Sequence, residues 1–206
     1  MLPNKYLTNT VGGLLVGFAA GVISASVCML FQLGFFLPGP IFGMAVSAYC
    51  WLFYSRRSVL RDLIFIAICI VIEAAMVLLA FGIVASNHSD PVWIFHLNSG
   101  FVWSIVGSIV AGTIGAFLVL IAVLLLFFTS RGFPRIFFTA LYWAPFGGIL
   151  SALGWVCGVL IPMHLKRWET VSIGLPFQAV FFAWQTGLGL MLGVILHKRE
   201  QSEFAQ

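Results

Sequence analysis

The chain reads as an all-α protein: a polytopic membrane bundle of about six transmembrane helices with both termini in the cytoplasm. Three observations predict this. First, the 206 residues are 62% hydrophobic and only 8% charged, against about 25% charged in a soluble domain. Mean hydropathy is +1.11, and no water-soluble core of this size could hide so much apolar surface. Second, the apolar residues form continuous runs of roughly 20, the length that crosses about 30 Å of hydrocarbon. The runs do not alternate polar and apolar, which excludes a membrane β-barrel. Third, lysine and arginine are biased to alternate connecting segments. With both ends inside, Lys5, Arg56, Arg57, Arg61, Arg131, Arg135, Lys198 and Arg199 are cytoplasmic, and only Lys166 and Arg167 are outside. Eight against two fits the positive-inside bias. Compactness and short loops fit a bacterial inner membrane.

The spans fall at residues 11–33, 35–54, 63–85, 101–128, 136–161 and 175–196, within one integral membrane domain covering 1–206. The first outlasts the apolar core of a signal peptide, so it is read as a retained helix. It carries Gly13, Gly17 and Gly21 at a spacing of four, followed by Ala25. The second opens with Pro38 and Pro40, tolerated in a first turn because those N–H groups have no helical partner. The third, 63–85, contains one ionisable side chain, Glu73. The fourth repeats small residues at Gly107, Ala111 and Gly115. The fifth contains Pro145, where a lost backbone hydrogen bond predicts a kink. The sixth carries Gly189 and Gly193. Small residues four apart make flat grooves that let helix backbones approach closely. Most such strips pack internally. The longest, on the first helix, is the candidate surface for another membrane subunit.

Two loops have amphipathic content. Residues 86–100 carry Trp93 with His88, Asp90 and His96, a spacing that matches no standard metal motif. Residues 162–174 carry Lys166, Arg167 and Trp168. Both suit interfacial anchoring, or a lid over an outer-facing site. The four cysteines form no CxxC and no zinc-type spacing, and read as small buried apolar groups. No metal and no cofactor is expected. The dispersed basic residues give no nucleic-acid stripe, and no catalytic set is recognisable, so an enzyme is not expected.

Counting from span ends places a thin polar layer near mid-depth: Ser24, Ser47, Glu73, Thr113, Ser151 and Gln185. Serine and threonine can bond their own backbone. Glu73 and Gln185 cannot be satisfied by hydrocarbon, and a charge at bilayer centre costs roughly 2.5–3.5 kcal/mol. Both should therefore face the bundle interior. One reading is a polar clasp, with Glu73 bonded to Gln185 or to a carbonyl freed near Pro145. The other is a binding site for a small molecule or ion, with Glu73 and Gln185 as polar contacts and Trp155 and Trp184 as apolar walls.

In size, helix count and orientation the chain resembles the substrate-capture subunits of energy-coupling vitamin transporters. That resemblance implies a membrane-embedded substrate-binding subunit whose first-helix small residues dock on a coupling subunit. The expected function is thus a small transporter or such a subunit. The alternative is a non-catalytic accessory subunit packed into a larger membrane complex.

Overall fold

The computed structural model describes residues 5–30, 37–54, 58–86, 99–127, 132–164 and 174–204. They form six helices: α1 (Lys5–Leu30), α2 (Pro38–Tyr54), α3 (Val59–Ser86), α4 (Ser99–Phe127), α5 (Phe133–His164) and α6 (Gly174–Phe204). Each helix packs on its neighbours in sequence, and α6 packs back on α1. The result is a closed ring of six helices. Five of them are long and apolar enough to cross a membrane; α2 is the exception. At 17 residues it extends about 25 Å, short of the hydrocarbon thickness.

Polarity is arranged for lipid. Ser24, Ser47, Glu73, Ser151 and Gln185 are buried, while Leu52, Val71, Leu78, Phe138 and Tyr142 are each more than 60% exposed. A soluble protein does not leave so many large apolar side chains on its surface while burying its polar ones. The fold is that of an integral membrane protein.

The seam between α1 and α6 is closed by glycine. A Cβ on Gly17 would lie 2.9 Å from the Gly189 Cα, and one on Gly13 2.9 Å from the Gly193 Cα. Gly21 meets Phe182 in the same way. Gly13 and Gly189 each point at the other's carbonyl, the arrangement that lets Cα–H groups meet carbonyl oxygens between helices. The first-helix strip expected to receive another subunit is therefore filled from within the chain. Only glycine leaves room for this approach, and α6 supplies the matching glycines. Gly107 meets Ala80 of α3, while Gly115 meets Met76 of α3 and Trp184 of α6.

The ends named by cross-contacts share one side of the ring. Gly193 meets Thr10, the Tyr49 hydroxyl donates to the Asn9 carbonyl at 2.8 Å, and Trp51 Nε1 donates to Asp62 at 3.0 Å. The first turns of α1 and the last part of α6 therefore lie toward the same end of the bundle. Helix α5 continues through Pro145 as one element. The two loops with histidine, tryptophan and basic residues, 87–98 and 165–173, lie outside the described residues.

Candidate functional site

The short helix α2 begins inside the ring, beside the middle of α3. A helix start in a water-free interior must satisfy its own N–H groups. Here the accounting closes. Pro38 and Pro40 have no N–H to satisfy. Ile41 donates to the Leu37 carbonyl at 3.2 Å. The remaining donor, the Gly39 N–H, binds Glu73 Oε2. The positive end of the α2 dipole thus faces the one carboxyl at this depth.

Close approach is built into the sequence. A Cβ on Gly39 would lie 2.8 Å from the Cys69 carbonyl oxygen and would collide with Glu73 itself. A Cβ on Gly43, one turn later, would lie 3.1 Å from the Ile66 Cα. Gly39 and Gly43 form a small-residue pair on which α2 rests against α3.

Gln185 holds the same helix start from the other side. Its Nε2 donates to the Pro38 carbonyl at 2.9 Å, and its Oε1 accepts from the Ser24 hydroxyl at 2.9 Å. Ser24 of α1, Gln185 of α6, Pro38–Gly39 of α2 and Glu73 of α3 thus make one chain of polar contacts across the ring. Glu73 and Gln185 both face inward, as their chemistry requires. They do not bond to each other; each takes one end of the same buried turn. The Pro145 region does not bind Glu73 either. The Ser151 hydroxyl donates to the Gly147 carbonyl at 2.9 Å.

Beside this turn lies a cavity of about 80 Å³, lined by residues of α2, α3, α4, α5 and α6. Its polar groups come from Glu73, Ser108, Ser151 and Gln185, and its walls include Phe42, Met76, Ala111 and Trp184. Trp184 is fixed in place: its Nε1 donates to the Gly112 carbonyl at 3.1 Å, and its ring lies 5.9 Å from that of Phe42. Glu73 is only 8% exposed, yet its Oε1 has no hydrogen-bond partner among the described residues. An unpaired buried carboxyl oxygen is costly.

Of the four residues expected to bind a substrate, three line this cavity: Glu73, Gln185 and Trp184. Trp155 is buried at 3% exposure but is not part of the lining. Thr113 sits against Gly148 in the α4–α5 contact. The site also uses residues that sequence reasoning passed over. Pro38-Gly39-Pro40 was legible as an opening turn, but not as a helix start held at mid-depth. The Gly39-x-x-x-Gly43 spacing was the available signal. Phe42 and Met76 carried none, because one apolar residue in an apolar run resembles the next.

Comparison with family models, with curated proteins and with solved structures returns no match.

Proposed function

We propose that the protein is a small transporter, or the membrane-embedded substrate-binding subunit of one, and that the cavity beside Glu73 is its solute site. One observation carries this reading. A helix start, an unpaired buried carboxyl oxygen and an open volume coincide at one point inside a ring of apolar helices. Interrupted helices whose N-termini lie at mid-membrane recur as solute sites in transporters. A volume of about 80 Å³ also exceeds the 10–15 Å³ or so that a single water requires, so the space is larger than one structural water needs.

The reading is non-catalytic. It places the helices in a bacterial inner membrane with both termini cytoplasmic. The positive-inside bias and the shared end of the termini support that orientation. The accessory-subunit alternative rested on glycine strips as docking faces, and the longest of them, on α1, packs against α6.

Cys69 lines the cavity and gives a direct test. In protein whose other cysteines are replaced by alanine, reconstituted in liposomes, 2-(trimethylammonio)ethyl methanethiosulfonate should modify Cys69 while the protein stays folded. Its quaternary ammonium has no neutral form in which to arrive through lipid. A Cys69 that reacts only after denaturation would contradict a solute site.

A further inference from the structure

The polar groups on the cavity lining are engaged with the protein or neutral. Glu73 Oε2 accepts from the Gly39 N–H, and Oε1 is itself a buried atom, so the carboxyl presents little surface to an occupant. The Gln185 amide is bonded at both its oxygen and its nitrogen. The Ser151 hydroxyl donates to Gly147 and the Trp184 N–H to Gly112. Ser108 adds a neutral hydroxyl, and no lysine, arginine or histidine is among the described residues of the lining. What remains for contact is hydrocarbon, thioether and aromatic ring, from residues such as Phe42, Ile72, Met76 and Trp184. An ion would shed its water here with nothing to replace it.

Shape narrows the class. The lining runs from Cys69 to Ala80 along α3 and from Ser108 to Val119 along α4, about 16 Å in each case at the helical rise. A volume of about 80 Å³ spread over that length is a slot. Benzene fills a compact apolar cavity of about 150 Å³, so this one is too narrow for a ring. The space is also half-open, so an occupant can extend beyond it. Helix α2 joins α1 to α3, and its start stands level with Glu73. Beyond that level α2 is absent, and half-buried Met76, Val77, Val180 and Phe181 border the slot. Among the described residues the ring is open on this side, where the bilayer lies.

Resting on the solute-site reading above, we propose that the occupant of the cavity is an unbranched alkyl chain, its end against Phe42, Met76 and Trp184 and its remainder leaving between α3 and α6. A chain already in lipid gains no hydrophobic free energy by entering, so close packing in the slot selects it. Met76 is the wall residue that adapts to its path.

The test uses the full chain in lipid nanodiscs and two photolabels, mapped by mass spectrometry. One is octanol with a diazirine at its chain end; the other is phosphatidylcholine with a diazirine at an acyl end. Met76 should be labelled, and that label should be lost under excess 1-octanol. Label on lipid-facing Leu78, 71% exposed, should persist. Labelling of Met76 by the lipid probe assigns the chain to the bilayer; labelling by the octanol probe alone assigns it to a free solute. Neither 1-adamantanol nor tetramethylammonium should displace the label. Displacement by the first would overturn the narrow slot, and by the second its apolar selectivity. Ala111→Leu, which fills the slot from α4, should remove the Met76 label and spare that on Leu78. Undiminished Met76 label in this variant, when folded, would overturn the assignment. If the variant does not fold, the competition series in the natural protein decides. Absence of displaceable label in protein whose Cys69 is reactive would reject the alkyl chain and leave the solute site standing. Displaceable label with an unreactive Cys69 would keep the chain and reject the solute site. Absence of both would reject both.

Discussion

Two side chains determine the centre of this molecule, and each does so through the backbone of a third element. The Gln185 amide nitrogen donates to the Pro38 carbonyl and its amide oxygen accepts from the Ser24 hydroxyl. Replacing it with leucine strands the Ser24 hydroxyl, fully buried at 0% exposure, and frees the Pro38 carbonyl. Unsatisfied buried groups cost about 1–3 kcal/mol, so Gln185→Leu should lower thermal stability in mild detergent by that order. The Ser24–Gln185 bond alone is worth less. A double-mutant cycle with Ser24→Ala and Gln185→Ala should return a coupling near 0.6 kcal/mol and not above about 1.7 kcal/mol, the range of hydrogen bonds between membrane helices. A coupling near zero would mean that the bond does not form. Glu73 was legible in the sequence because an acid at mid-span is expensive; its partner was not. A backbone N–H has no one-letter code, so the Gly39 donor becomes visible only when the helix start is seen to lie inside the ring.

At the scale of elements, glycine decides which helices meet. The α1–α6 seam and the α2–α3 contact both fail if a side chain is added where backbones touch. Gly17→Leu should therefore prevent folding or strongly destabilise the bundle, as measured by unfolding and by loss of a monodisperse elution peak. Gly82 is the counter-case. Nothing lies within 4 Å of a Cβ built there, and it sits within α3. Gly82→Ala should be neutral or stabilise by about 0.5–1 kcal/mol, since alanine is the better helix former. Five long spans were readable from hydropathy because a bilayer imposes length and composition directly. The short α2 was harder. Its apolar run extends back before Pro38, so composition alone continued the span past the point where the helix starts. The spacing of small residues showed that helices pack closely, but not which ones. The α1 strip and the Gly189–Gly193 pair were both visible in sequence, and only the ring closure joins them.

At the scale of the whole molecule, the ring explains why a protein this apolar contains a polar interior. Lipid covers the outside, and the inner face is free to hold the few groups that hydrocarbon rejects. The closure brings the start of α1 and the end of α6 to one end of the ring, and with the positive-inside bias this predicts both termini in the cytoplasm. Alkaline phosphatase fusions should be active when joined within 87–98 or 165–173, and inactive when joined within 128–131 or at the C-terminus. The reverse pattern would invert the membrane orientation and put the Arg56–Arg57–Arg61 cluster outside. The most direct test of the solute site is a cryo-electron density map of the protein purified from its native membrane into nanodiscs. Non-protein density should fill the cavity beside Glu73, with Oε2 on the Gly39 amide. A dry, collapsed space, with both carboxyl oxygens bonded to protein, would contradict it.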